Sequence, residues 1–328
     1  MFDRYLKCVV GGESLNPEEA YLTARMLLHD NIPEVKAAAF LSAMRTRKER
    51  AGELEGFVQA LYEEAVKIDS DYELIDTCGT GGDGLSTFNI STAAALVVAS
   101  CGVRVAKHGN RAMTSNVGSA DVLEALGVNI ELNPDEARKM LDEVGITFLF
   151  APHYHPILKQ VGPLRRSLGV ATIFNFLGPM LNPCTLTYQV VGIYDVSLQE
   201  AIGDTLARRG RKRALVVHGE NGMDEINPAG KTLVYQVDNG QGHFYDLDPV
   251  DLGMEHVPLD SIRGADRETN ARIVYEVVGG KPGPHRQTVL LNAAAALMVA
   301  GRAADYKEGM QLAAEAVDSG KSMRTLKA

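Results

Sequence analysis

Residues 76–84 have the sequence DTCGTGGDG, in which four of the nine residues are glycines. Residues 73–75 predict a short strand before this stretch. Residues 93–99 predict a helix after it, with Asn89 or Ser91 as the cap. Glycines let the backbone approach a ligand with its N–H groups turned inward, and a helix N-terminus adds partial positive charge. The stretch therefore predicts an α/β unit whose glycine loop binds phosphate.

Two other interpretations of this loop need to be weighed. GTGGDG also satisfies the G-x-G-x-x-G pattern of dinucleotide sites, which requires an acidic residue roughly 20 positions later. Residues 103–111 have the sequence VRVAKHGNR and contain no acid, so we exclude NAD. A tight structural turn remains open, because glycine-rich turns are common between secondary-structure elements.

Composition and charge limit the class of protein. The chain has 328 residues, of which 45% are hydrophobic and 23% charged, as is usual for soluble globular proteins. Its net charge of −9 disfavours binding to nucleic acid. Neither a membrane-spanning run nor a secretory apolar core is evident, so we expect a cytoplasmic protein that does not contact membranes. The four cysteines are widely spaced and are expected to be free thiols: Cys8, Cys78, Cys101 and Cys184.

The pattern of apolar residues divides the chain in two. Residues 1–68 predict a small all-helical domain, with helices beginning near Asn16 and Pro33 and a third over residues 53–66. Residues 69–328 predict a large α/β domain with a mostly parallel sheet, because strands and helices alternate from residue 70 onward. The predicted strands include residues 103–105, 148–150, 188–192, 213–217, 232–237, 242–245 and 254–257.

A second polar segment follows a predicted strand at residues 107–121. Lys107 and Arg111 are suited to phosphate oxygens, and Ser115 and Ser119 offer hydroxyl groups. Ligands collect at the carboxyl ends of strands in open α/β sheets, so this segment and the glycine loop are expected to face one crevice. The alternative is a solvated loop with Ser119 as a helix cap.

Two pairs of adjacent charged residues suggest ligands. Asp224 and Glu225 would repel each other unless a cation lies near them, and Mg²⁺ is commonly bound by one or two carboxylates together with substrate phosphates. Arg165 and Arg166 are predicted to begin a helix, where the dipole disfavours cations and an anionic partner would stabilise them. A solvated acid pair and a surface ion pair remain the alternatives. The prolines around His153 and His155 favour a structural or pocket-lining role over a metal site.

Seven motifs in order along the chain resemble the anthranilate phosphoribosyltransferase family: DTCGTGGDG, TFNIST, KHGNR, GSADVLEALG, TIFNFLGPMLNP, VVHGENGMDEI and VLLNAAAALMVAG. The resemblance implies a fold like that of the class II nucleoside phosphorylases, in which hinges join a small helical domain to a large α/β domain. Residues 165–185 would rejoin the helical domain. It also implies a homodimer formed through that domain.

The resemblance further implies a Mg²⁺-dependent reaction of anthranilate with 5-phosphoribosyl 1-diphosphate. It assigns catalysis to Lys107 and His108, anthranilate binding to Gly79, Asn110 and Arg165, and the metal to Ser91, Asp224 and Glu225. The donor site comprises Gly79, Gly82, Asp83, Thr87, Asn89, Ile90, Ser91, Thr92, Lys107, His108, Gly109, Asn110, Arg111, Ala112, Met113, Thr114, Ser115 and Ser119.

The sequence departs from the family pattern in two places. Residues 112–117 have fewer serines than many members and lack a lysine, which would reduce the side-chain donors available to phosphate. Residues 47–50 (RKER) replace the usual glycine-containing turn of the helical domain. A pyrimidine nucleoside phosphorylase is the nearest rival, but it needs no paired metal carboxylates. A noncatalytic nucleic-acid-binding relative would be expected to have a basic groove and eroded motifs.

Overall fold

A computed structural model describes residues 1–112 and 117–328. The helices are α1 (Phe2–Val10), α2 (Pro17–His29), α3 (Glu34–Arg47), α4 (Ala51–Glu63), α5 (Ile90–Ser100), α6 (Ser119–Ala125), α7 (Pro134–Glu143), α8 (Ala151–Tyr154), α9 (Gly162–Leu168), α10 (Gln199–Arg208), α11 (Arg267–Val278), α12 (Pro284–Val299), α13 (Tyr306–Asp318) and α14 (Lys321–Lys327). The strands are β1 (Leu74–Gly79), β2 (Arg104–Gly109), β3 (Ile146–Phe150), β4 (Tyr188–Gly192), β5 (Arg213–Gly219), β6 (Thr232–Asp238) and β7 (Gln241–Leu247).

The predicted α/β fold class, with a small helical part and a mostly parallel sheet, is confirmed. Helices α1 to α4 come first, and the rest of the chain builds one seven-stranded sheet of order β3-β2-β1-β4-β5-β6-β7. The strands from β3 to β5 in this order are parallel, and β6 and β7 add an antiparallel edge. The parallel strands bring the ends of β1, β2 and β4 to one edge, where ligands bind in such sheets.

The N-terminal helices begin where their cap residues indicate. Asn16 accepts a hydrogen bond from the backbone N–H of Glu19 at 2.9 Å, and the side chain of Glu19 accepts one from the backbone N–H of Asn16, which completes a capping box before Pro17. These helices pack on one face of the sheet together with residues 161–181, whose Phe174 meets Phe57 edge to face at 5.9 Å. The division between residues 68 and 69 stays a prediction.

A second core fills the other face of the sheet. Helices α5 and α12 lie at its centre and are apolar almost all round, as expected for buried helices. No helix in residues 1–112 or 117–328 is long and apolar enough to cross a membrane.

Two local predictions are wrong. Residues 254–257 are not a strand, because Val257 donates its N–H to the carbonyl of Pro228 in a loop at 2.8 Å and finds no strand partner. Arg165 and Arg166 lie in the last turn of α9 and not at its start, so the helix dipole stabilises their charges. The dipole therefore gives no reason to expect an anion there.

Candidate active site at the carboxyl ends of β1 and β2

A cleft of about 360 Å³ opens where β1, β2 and β4 end. It is lined by the glycine loop, the start of α5, the end of β2, residues 174–181 and the Asp224–Glu225 turn. The structure brings together every predicted site residue that it describes except Ala112, whose N–H instead donates to Asp121 at 3.0 Å. The predicted donor residues Met113, Thr114 and Ser115 lie outside the described residues.

The glycine loop folds over a carboxylate that comes from a distant part of the chain. Gly81 donates its N–H to Oδ2 of Asp224 at 2.6 Å. A Cβ at Gly79 would lie 2.2 Å from the same oxygen, and Gly82 has a φ of 89°, in the left-handed region that favours glycine. The loop therefore needs glycines both for its turn and for the approach of Asp224.

Asp224 and Glu225 form the acidic side of the cleft. Glu225 accepts the N–H of Ser91, at the start of α5, at 3.1 Å. Burial raises the pKa of Asp224, and repulsion from Asp83 raises it further. Burial followed by repulsion from Asp224 likewise raises the pKa of Glu225. Asp83 adds a third carboxylate to this corner, and the neighbouring residues do not compensate the repulsion among the three.

This set of oxygen donors fits a hard cation. Carboxylate oxygens with the hydroxyl of Ser91 are ligands that Mg²⁺ prefers, provided that water or substrate phosphate completes the coordination. Within residues 1–112 and 117–328, no three His, Cys, Asp or Glu side chains are arranged to hold a metal by themselves. A metal at this corner would therefore depend on oxygens from a ligand or from water.

Lys107 lies at the floor of the cleft with only 3% of its surface exposed. Its Nζ donates to the carbonyl of Thr77 at 2.6 Å and to Oγ of Ser91 at 3.4 Å. These contacts hold one positive charge between the glycine loop and the start of α5. Such a fixed charge can stabilise negative charge that develops on a ligand.

Two histidine rings meet edge to face beside the lysine. The ring centroids of His108 and His155 are 5.2 Å apart. Nδ1 of His108 donates to the carbonyl of Gly178 at 3.2 Å, while its buried Nε2 has no partner. Burial, aided by His155, lowers the pKa of His108 to about 3, and burial lowers that of His155 to about 4. Both rings are therefore neutral at pH 7, and Nε2 of His108 can accept a hydrogen bond.

The two predicted arginines have different surroundings. Arg111 donates from Nη2 to Glu124 at 2.8 Å, and its hydrogen bonds to Glu124 raise its pKa. Its charge is thus already paired on α6. Arg165 forms no ion pair with any described residue and lies over the ring of Phe174 at 5.9 Å, and burial lowers its pKa. Arg165 is therefore the cation available to an anionic ligand on this side of the cleft.

A buried polar network beneath the cleft escaped the sequence-based prediction. Asp76 is fully buried and accepts from Nδ2 of Asn182 at 3.0 Å and from the N–H of His108 at 3.3 Å. Asn270 donates to Oδ1 of Asn89 at 3.0 Å, so Asn89 occupies the cap position of α5 without capping it by its side chain. Asp76 lies in the glycine motif and Asn182 in the motif TIFNFLGPMLNP, but the sequence pattern alone does not indicate a role for either residue.

The fold and site match a known class of enzymes. The model of the glycosyl transferase family a/b domain matches residues 71–323, and that of the family's helical bundle domain matches residues 3–65. The chain therefore has the two-part architecture of the glycosyl transferases in this family.

Individual relatives narrow this class. Anthranilate phosphoribosyltransferase of Syntrophomonas wolfei is 69% identical over 326 residues, covering 99% of this chain and 96% of the relative. The crystal structure of the Thermus thermophilus enzyme superposes with a TM-score of 0.92 at 40% identity, covering 98% of this chain and 97% of that one. The structure of the Saccharomyces cerevisiae enzyme in complex with PRPP and Mg superposes with a TM-score of 0.90 at 28% identity, covering 99% of this chain and 96% of that one. The chain belongs to the anthranilate phosphoribosyltransferase family.

Proposed function

We propose that this chain transfers the phosphoribosyl group of 5-phosphoribosyl 1-diphosphate (PRPP) to the amine of anthranilate, releasing pyrophosphate in a step of tryptophan biosynthesis. The observation that carries the proposal is the convergence of the glycine loop, Lys107 and the acidic pair on one cleft. The relatives support this activity over that of a pyrimidine nucleoside phosphorylase or a nucleic-acid-binding relative.

The acidic pair would hold Mg²⁺ against the diphosphate of PRPP. Asp224, Glu225 and the hydroxyl of Ser91 supply oxygen ligands, and the uncompensated charge at this corner supplies the attraction. The bound ion would neutralise charge on the departing pyrophosphate. A complex of the yeast relative with PRPP and Mg supports the use of Mg²⁺ together with PRPP.

Displacement at C1 of the ribose forms a C–N bond to anthranilate and breaks the C–O bond to pyrophosphate. We expect a transition state that resembles an oxocarbenium ion, so charge departs on the diphosphate beside Lys107. The aromatic amine is neutral at pH 7 and needs no strong base before attack. Because its pKa is about 3, His108 is neutral and would orient the amine by accepting a hydrogen bond from it. The proton released from the amine would pass to pyrophosphate or water.

Arg165 would bind the carboxylate of anthranilate, because it is half-buried in the cleft without an acidic partner among the described residues. We expect Arg165→Ala to raise KM for anthranilate by about tenfold or more while that for PRPP changes little. Arg166→Ala is the matched control, since Arg166 is the exposed neighbour on the same helix. An unchanged anthranilate KM in Arg165→Ala would refute this assignment.

The activity itself is tested by following the loss of anthranilate fluorescence with PRPP and Mg²⁺. We expect turnover that EDTA abolishes and excess Mg²⁺ restores. In Asp224→Ala and Glu225→Ala, activity should fall and its Mg²⁺ titration should move to higher concentration. No turnover at saturating PRPP and Mg²⁺, together with phosphate-dependent cleavage of pyrimidine nucleosides, would favour the phosphorylase.

A homodimer through the helical domain is part of the same proposal. Val10 of α1 and Val35 of α3 are 63% and 81% exposed, which leaves apolar surface on this part of the molecule. Sedimentation should give the mass of two chains, and Val35→Glu should shift it toward one. A single-chain mass for the unmodified protein would exclude this dimer. The cytoplasmic location stays a prediction.

A further inference from the structure

Three basic side chains gather around Tyr62, at the end of α4. Cζ of Arg209 lies 4.2 Å from the ring centroid, and Nζ of Lys67 lies 4.8 Å from it. Arg211 follows two residues after Arg209, and its charge and that of Arg209 repel each other. None of the three cations forms an ion pair with a residue in the described part of the chain.

Arg211 is the most constrained member of this basic cluster, which we define as Lys67, Arg209 and Arg211. It is only 3% exposed. Its Nε donates to Oε1 of Gln189 at 3.1 Å and its Nη1 to the carbonyl of Arg209 at 3.2 Å. Its Nη2 and the Nε of Arg209 are buried without a hydrogen-bond partner.

No acid among the described residues accepts a hydrogen bond from these cations. Asp76 attracts Arg211, but its oxygens accept hydrogen bonds from Asn182 and His108. Glu63 accepts hydrogen bonds from Tyr21 and Gln59. The end of α10 favours a cation at Arg209, yet it offers nothing to Nη2 of Arg211. Because a guanidinium stays protonated in proteins, a buried one without a counter-ion is costly.

We propose that Lys67, Arg209 and Arg211 form an anion-binding site that takes a phosphate group, with Arg209 and Lys67 positioned over the ring of Tyr62. Two guanidinium groups with unused N–H donors match the oxygens of a phosphate. Arg211 precedes β5, whereas the catalytic cleft opens beyond the far ends of the strands. The basic cluster is therefore separate from the cleft that holds Lys107.

The test is a titration of the whole protein with inorganic phosphate, read as the shift of the thermal unfolding midpoint. Sodium chloride at equal ionic strength corrects for general salt effects. We expect Arg209→Gln and Lys67→Gln to need about tenfold more phosphate for the same shift, because each removes a charged donor. Lys67 is exposed, so its variant should fold even if Arg209→Gln does not.

Arg208→Gln is the matched control. Arg208 is an exposed neighbour that pairs with Glu55, so its loss changes the net charge equally without touching the basic cluster. It should respond to phosphate like the unmodified protein. Phosphate that binds in the catalytic cleft shifts the unfolding midpoint of the unmodified protein and of all three variants alike, so it cancels in this comparison. The proposal would be overturned if phosphate shifted the unfolding midpoints of all four proteins equally, or if sodium chloride reproduced the shift.

Discussion

Replacing Gly79 by alanine should separate activity from folding. The new Cβ would lie 2.2 Å from Oδ2 and 2.9 Å from Cγ of Asp224, so the carboxylate must withdraw by about 1 Å. That movement breaks its 2.6 Å hydrogen bond from Gly81. A misplacement of about 1 Å can cost about 100-fold in rate, whereas overpacking costs about 1–3 kcal/mol of unfolding free energy.

The assay for Gly79→Ala combines kcat/KM from anthranilate fluorescence with urea unfolding. We expect a loss of about 100-fold in kcat/KM from a protein that still unfolds cooperatively, and a weaker response to Mg²⁺. Gly84→Ala is the control within the same loop, because its Cβ meets nothing within 4 Å and its φ of 73° adds only strain of about 1–2 kcal/mol. Full activity in Gly79→Ala, or an equal loss in Gly84→Ala, would refute the role given to Asp224.

Two further perturbations test the surroundings of the cleft. His155 has a pKa of about 4 in the folded protein and about 6.5 in the unfolded chain, so its contribution to stability is complete above pH 6.5 and is lost as the pH falls from 6.5 toward 4. We expect His155→Gln to reduce the slope of the unfolding free energy against pH by about 1.4 kcal/mol per pH unit near pH 5. Parallel curves for the variant and the unmodified protein would contradict this. Arg45 pairs with Asp195 across the junction of the helices and the sheet. Arg45→Ala removes this pair and the one with the buried Glu49, so it should lower the unfolding free energy by about 2–3 kcal/mol, against less than about 1 kcal/mol for the exposed Lys48→Ala. Equal losses on urea unfolding would exclude a special role for the ion pairs of Arg45.

Local sequence signals predicted helices α2 to α5 and the parallel strands because those elements carry their own evidence. Asn16 and Pro17 mark the start of α2 through a hydrogen bond that spans only three residues. Residues 254–257 show the limit of this approach. The sequence predicts a strand for this short segment, but a strand also requires a free partner edge, which depends on the arrangement of the whole sheet.

The predicted start of α9 at Arg165 is wrong, although the sequence contains the signals for both ends of this helix. Pro163 lies in its first turn, and Gly169 ends it with a φ of 63°. These two signals confine the helix to seven residues and place Arg165 near its end. The interpretation of Arg165 as an anion ligand now depends on its lack of an acidic partner among the described residues, which only tertiary structure reveals.

The register of β1 and β4 explains what the glycine motif alone could not. Gly79 pairs with Gly192, and a Cβ at Gly192 would lie 1.5 Å from the backbone oxygen of Asp224. Two glycines on neighbouring strands thus make room for the acidic turn, which lies more than 140 residues beyond Gly79 in the chain. The first glycine of the loop therefore does more than let a phosphate approach. Because the same residue admits Asp224, the position of the proposed metal ligand and the shape of the phosphate loop are determined together.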